Sequence, residues 1–524
     1  MLVIWNLLTR KESHMVARIY SACVIGIDAC EVAVEMDTGG GLPGVNIVGL
    51  PDTAIRESRD RIKAAIKNSD FSFPAKKITV NLAPAGIKKE GALFDLPIAL
   101  SILSSEELLD SAALSDFVFC GELSLDGRLK PIKGALPIAM ALKNMNKSKF
   151  VLPKENAREA AVVKGIEVYP LETLKDVVDF ANKRLSISPQ QSNIEHTLKR
   201  NSKYKVDFSD VKGQEHVKRG LEIAAAGSHN ALLIGPPGSG KSMLAKRLPT
   251  ILSNMTLEES LETSKIHSVA GLLSPNRGLI GTRPFRSPHH TISDAALVGG
   301  GTNPVPGEIS LAHNGVLFLD ELPEFKRNVL EVLRQPLEEG SITISRVANR
   351  LTYPSKFTLV AAMNPCPCGY FTDPKRECHC TPFQIQAYLS KISGPLLDRI
   401  DIHLEVPRLK FEHLTDKRRG EPSENIRKRV EDAREIQKTR YKHDGILFNA
   451  HLESKELEKY CVLNKEGEEL LKLAILELGI SARAYDKILK VARTIADLDG
   501  KETIEAHHIS EAISYRSLDR NLWG

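Results

Sequence analysis

Apolar positions change their rhythm three times along the chain. Over residues 16–185 an alternating run, Lys77-Ile78-Thr79-Val80-Asn81-Leu82, and an apolar one, Phe117-Val118-Phe119-Cys120, intersperse with helical spacing such as Leu136 to Lys143, which predicts an α/β domain. Residues 186–206 are polar and basic with little periodicity and read as a linker. Between 207 and 410 the short runs Leu232 to Ile234, Val316 to Leu319 and Thr358 to Ala362 are uniformly apolar, as in strands of a parallel sheet covered on both faces. From 411 to 524 charged residues and helical spacing take over in Glu424 to Arg440, Glu466 to Leu478, Ala484 to Asp497 and His507 to Ser517, which predicts a small helical lid domain. The first fifteen residues, MLVIWNLLTRKESHM, read as a loosely attached N-terminal extension.

Composition narrows the class. A chain of 524 residues, 42% of them apolar, has room for about three to four domains with buried cores. Lys plus Arg (71) nearly balances Asp plus Glu (66), a net +5 that leaves room for a local basic groove without requiring one. No run approaches the about 18 consecutive apolar residues of a membrane span, and the opening lacks a small-residue cleavage site, so a cytoplasmic protein without a membrane partner is expected. Of eight cysteines, four crowd into Cys366 to Cys380 while Cys23, Cys30, Cys120 and Cys461 are scattered, the distribution of a metal clip plus core thiols.

Gly235-Pro236-Pro237-Gly238-Ser239-Gly240-Lys241-Ser242 follows the apolar run Ala231 to Ile234 and leads into Met243-Leu244-Ala245-Lys246. Strand, glycine-rich loop and helix in that order make a phosphate cradle: backbone N–H groups converge on phosphate oxygens, Lys241 reaches the outer phosphates, and Ser242 holds Mg²⁺. ATP with Mg²⁺ is therefore the expected ligand. Val316 to Leu319 ends in Asp320 and Glu321, where Asp320 would hold Mg²⁺ through water and Glu321 would orient or deprotonate the attacking water. Thr358 to Met363 ends in Asn364, which can position the same water. Arg399, within Leu396-Leu397-Asp398-Arg399-Ile400-Asp401, either meets a phosphate of an adjoining subunit or pairs with Asp398 or Asp401. Arg483 either points back to the nucleotide or is an ordinary first-turn surface residue.

Taken together, the phosphate loop, LFLDE, MNP, LLDRID and SARAYDKIL resemble the AAA+ ATPases of the magnesium-chelatase group and, more narrowly, the ComM (YifB) family, over about residue 17 to the end. The resemblance implies Walker A for Gly235 to Ser242, Walker B for Asp320 and Glu321, sensor one for Asn364, an arginine finger for Arg399 and sensor two for Arg483. It further implies a homo-hexameric, DNA-dependent motor that moves branch points during recombination of incoming DNA. Lys89 to Asp95 and Gly121 to Ile132 resemble the proteolytic domain of Lon proteases, but Leu93 and Leu136 fall where that family has its serine and lysine. Leucine can neither attack a carbonyl nor shuttle a proton, so a binding or assembly module is expected and an ATP-dependent peptidase is disfavoured.

Cys366, Cys368, Cys378 and Cys380 form two pairs that can close a structural Zn²⁺ site, with His379 as an alternative ligand. Ser341 to Tyr353 reads as a hairpin whose tip is flanked by Arg346 and Arg350; composition fits a charged solvent-facing hairpin equally well, and the resemblance favours contact with DNA phosphates in the ring's channel. The insertion Arg283 to His290 is expected as an ordered loop in or beside that channel. A chelatase-like remodelling chaperone or scaffold without DNA translocation is the alternative function.

Overall fold

The computed structural model describes residues 17–275, 277–301, 304–345, 350–371, 373, 375–409, 419–478 and 482–516. The N-terminal extension, Arg346 and the hairpin tip lie outside the described residues. The chain folds as two compact units, residues 1–201 with 264–280, and 202–263 with 281–524.

The first unit is built on a seven-stranded sheet in the order Gly44–Val48, Lys77–Ala83, Asp28–Gly39, Ala17–Ile25, Phe117–Phe119, Lys149–Pro153 and Glu167–Leu171. Alternation in Lys77–Ala83 turns Ile78, Val80 and Leu82 inward, and Ala17–Ile25 and Asp28–Gly39 pair antiparallel across a two-residue turn. Helix Thr53–Asn68 buries Ile55, Ile62, Ala65 and Ile66 along one face and starts at Asp52, whose carboxylate accepts from Ile55 N at 2.9 Å. Helix Asp95–Ser105 is apolar nearly all round and correspondingly buried along most of its length. Within the stretch expected as a linker, Ile194–Asn201 forms a helix with no buried residue. Its terminal Asn201 is nonetheless held, donating to Leu279 O at 2.7 Å.

The second unit contains a five-stranded sheet in the order Phe285–Arg286, Val316–Leu319, Thr358–Met363, Ala231–Ile234 and Ile402–Glu405, with all four pairings parallel. The central strands are buried throughout, which is why they carry no alternation. This order inserts the strand leading to Asn364 between the strand leading to the phosphate loop and the strand leading to Asp320, so all three deliver their side chains at one carboxyl edge. The helices Ser423–Arg440, Lys465–Leu478, Ala482–Leu498 and Ala506–Ser514 do not form a separate core: Ile488, Ile495 and Ile509 belong to the same buried cluster as Leu233, Phe318 and Val360. A buried polar chain joins them too, with His229 Nδ1 3.0 Å from Asp401 Oδ2 and its Nε2 2.7 Å from Thr494 Oγ1. No helix among the described residues is long and apolar enough to cross a membrane.

Candidate active site

The loop after Ala231–Ile234 takes its path from its glycines. A Cβ on Gly235 would stand 2.1 Å from Val406 O, and Gly240 has φ 96°, a left-handed conformation that side chains avoid. Beyond Gly240 the helix Lys241–Ala245 begins. The Lys241 ammonium donates to Gly235 O at 2.7 Å, Pro236 O at 3.0 Å and Asn364 Oδ1 at 3.1 Å. Burial pulls its pKa down to about 8, with Asp320 and then Glu321 opposing the shift. A buried cation over a ring of carbonyl dipoles is suited to a polyanion. Ser242 Oγ donates to Asp320 Oδ2 at 2.6 Å, so the two expected Mg²⁺ holders already meet.

Glu321 stands beside them in the left-handed region, φ 55°, with its N–H donating to Asp320 Oδ1 at 3.0 Å. A non-glycine residue held there stores strain of about 1 to 3 kcal/mol and turns the side chain out of the strand direction. Its carboxylate lies 3.3 Å from His290 Nδ1. The insertion Arg283 to His290 thereby brings an imidazole to the acidic edge, a contact that the spacing of adjacent histidines does not signal.

Lys241–Asn364 and Ser242–Asp320 thus form two hydrogen-bonded pairs on adjacent loop residues, while Arg399 and Arg483 are engaged elsewhere. Arg399 pairs with Glu338 and donates to Pro395 O. Neither Asp398 nor Asp401 is its partner: Asp398 is taken by Arg483 and Asp401 by His229. Burial, then the guanidinium groups of Arg334 and Arg483, lowers the pKa of Arg399. Arg334 is a member of this cationic group that the sequence did not single out, because its helix, Arg334–Glu339, carries no motif. Asn230 was missed as well: its side chain donates to Arg399 O and accepts from Leu359 N, both at 2.8 Å, tying the arginine's backbone to the sheet.

The four clustered cysteines converge, with all four sulfurs within 4.8 Å of one another and His379 outside the group. Cys366 Sγ is 3.3 Å from Cys368 Sγ and 3.7 Å from Cys378 Sγ, and Cys368 Sγ is 3.5 Å from Cys378 Sγ. A tetrahedron with Zn–S of about 2.3 Å has edges of about 3.8 Å, so the set fits Zn²⁺. Gly369 N and Phe371 N donate to Cys366 Sγ at 3.2 and 3.3 Å, which fixes the orientation of this sulfur. Arg350 is exposed on an antiparallel hairpin, Ser341–Ser345 with Arg350–Pro354. In the first unit Leu136 is fully buried, and the Ser124 hydroxyl is committed to Asp126 Oδ1 at 2.5 Å and Arg128 O at 2.9 Å within its own turn.

Residues 207–414 match the family described as Magnesium chelatase, subunit ChlI; residues 34–156 match Subunit ChlI of Mg-chelatase; and residues 420–516 match Magnesium chelatase, subunit ChlI C-terminal. The chain is 46% identical over 510 residues to Competence protein ComM of Haemophilus influenzae, covering 97% of this chain and 98% of that protein. It is 44% identical over 509 residues to Uncharacterized protein YifB of Escherichia coli, covering 96% and 97% respectively. A shorter likeness, 27% over 116 residues, is to Archaeal Lon protease of Methanocaldococcus jannaschii, covering 22% of this chain and 18% of that protein.

Proposed function

Since this chain belongs to the ComM/YifB family of magnesium-chelatase-like AAA+ proteins, we propose that it is a Mg²⁺-dependent ATPase that assembles as a hexamer, encircles DNA and drives branch migration or unwinding during recombination of incoming DNA. The observation that carries the reading is the meeting of Ser242 Oγ with Asp320 Oδ2 at 2.6 Å beside the Lys241–Asn364 contact. Ser242 and Asp320 would hold Mg²⁺, which would neutralise phosphate charge. Lys241 binds the outer phosphates in exchange for its loop carbonyls, Glu321 takes a proton from the attacking water, and Asn364 aligns that water. Arg399, with Arg483 and Arg334 nearby, serves the pocket of the adjoining protomer, which is the reason a ring is required.

In this reading residues 16–185 are a Lon-like binding or assembly module without peptidase chemistry, 207–410 the ATPase core and 411–524 its helical lid. The Cys366, Cys368, Cys378 and Cys380 set holds a structural Zn²⁺, and the hairpin bearing Arg346 and Arg350 contacts DNA phosphates. The deciding experiment is ATP turnover with single-stranded, duplex and branched DNA side by side. Stimulation by branched DNA, lost in Arg346→Ala/Arg350→Ala, is expected. Turnover indifferent to every DNA would instead favour a remodelling chaperone or scaffold.

A further inference from the structure

Two other groups of reactive side chains stand outside the ATPase site. Asp499, His507 and His508 converge closely enough to suggest a metal, but Glu505 N donates to His508 Nδ1 at 2.9 Å. The neutral ring therefore keeps its proton on Nε2, the atom facing Asp499 Oδ2 at 3.3 Å, and has no lone pair to offer an ion there.

The second group is a pair of thiols. Cys23 and Cys30 are direct partners in the antiparallel register of Ala17–Ile25 with Asp28–Gly39. Opposed residues of such a pair hold their Cα atoms about 4.5–5.5 Å apart, inside the about 4.4–6.8 Å range of disulfides. Their sulfurs are in direct contact at 3.0 Å, so an approach of about 1 Å would bring them to the about 2.05 Å of a bond. Both are free thiols; Cys23 is buried and Cys30 half-buried, so an oxidant reaches Cys30 first. The hydrogen bond from Cys23 favours the Cys30 thiolate against the effect of burial, and the Lys89 ammonium adds to it. The same contact and burial push the Cys23 thiol up. Cys120 lacks this arrangement: it faces Ser21 Oγ at 3.6 Å and burial pushes it up to about 11.

We propose that Cys23 and Cys30 form an oxidisable dithiol, a modification site for hydroperoxides in which Cys30 attacks and Cys23 resolves. The Cys30 thiolate attacks the terminal peroxide oxygen; the O–O bond breaks, Cys30 becomes a sulfenic acid, and the leaving oxygen takes up a proton. Cys23 sulfur then attacks Cys30 sulfur, the S–S bond forms, the S–O bond breaks, and the departing hydroxide leaves as water with the Cys23 proton. Two thiols thereby supply the two electrons that the peroxide consumes. The loop closed by the bond is short, so oxidation constrains the unfolded chain less than a long-range disulfide would, and it demands no rearrangement of register.

The test uses the full chain, treated with hydrogen peroxide, alkylated and digested with trypsin, which releases both cysteines in the single peptide 19–56 because no Lys or Arg lies between Arg18 and Arg56. The expected result is a peptide lighter by two hydrogens than its reduced form, unalkylated, and restored to double alkylation by a thiol reductant. Cys23→Ser should strand Cys30 as a sulfenic acid captured by dimedone, and Cys30→Ser should leave Cys23 unmodified. A wild-type peptide that still takes two alkyl groups after peroxide would overturn the proposal without reference to either variant. So would first capture of the sulfenic acid on Cys23.

Discussion

Gly369, between the two cysteine pairs, packs directly on Pro237 of the phosphate loop: a Cβ there would stand 2.7 Å from Pro237 Cδ, and its φ of 85° disfavours any side chain. The thiol cluster and the nucleotide cradle therefore share a wall. Gly369→Ala should cost about 1 to 3 kcal/mol locally and weaken nucleotide binding, read by titration with a fluorescent ATP analogue. An unchanged affinity would separate the two features.

Metal removal should act through the same wall. Chelation is expected to release about one Zn²⁺ per chain, and Cys366→Ser should purify without it and bind ATP more weakly, measured by metal analysis and by titration. Protein that carries no zinc as isolated would remove this prediction's premise.

Variants of Lys241 and Glu321 should divide binding from chemistry. Lys241→Ala should lose nucleotide binding, whereas Glu321→Gln should keep ATP bound while turnover falls about 10²- to 10⁴-fold. Normal hydrolysis by Glu321→Gln would mean that another group handles the water.

Affinity should also report the Lys241 proton. Its pKa of about 8 lies below the ordinary lysine value, so the free site begins to lose this charge as pH rises through about 8. A bound polyanion favours the charged form, so ATP binding should take up a proton above that pH and weaken as pH increases further. Calorimetry in two buffers of different ionisation enthalpy would detect the uptake; equal heats at pH 9 would contradict it.

Arg399→Ala should bind ATP yet lose turnover by about a thousandfold. If the arginine serves a neighbouring pocket, mixing Arg399→Ala with Lys241→Ala protein should recover activity above either alone, since some interfaces then contain both intact halves. Mixtures no better than the sum of their parts would place its action within its own protomer.

What could be read from the chain was whatever resides in contiguous residues. The phosphate loop is one stretch, and Asp320, Glu321 and Asn364 each end an apolar run, so their strands and edge were legible although the sheet order was not. Residues joined only by packing were invisible: Arg399 with Glu338, His290 with Glu321, and Gly369 with Pro237 are brought together across 61, 31 and 132 positions. Cys23 and Cys30 looked like ordinary core thiols because opposition across a hairpin depends on a register that composition does not specify. The helical segments were legible by period, but their sharing of one buried cluster with the sheet follows from tertiary contact alone.

That sharing bears on how the helices and the sheet respond to displacement. Thr494, His229 and Asp401 form a sealed polar spine from helix to strand, and separating them would strand buried groups at about 1 to 3 kcal/mol each. Helices and sheet are consequently coupled, so a displacement of either is passed to the other through this spine.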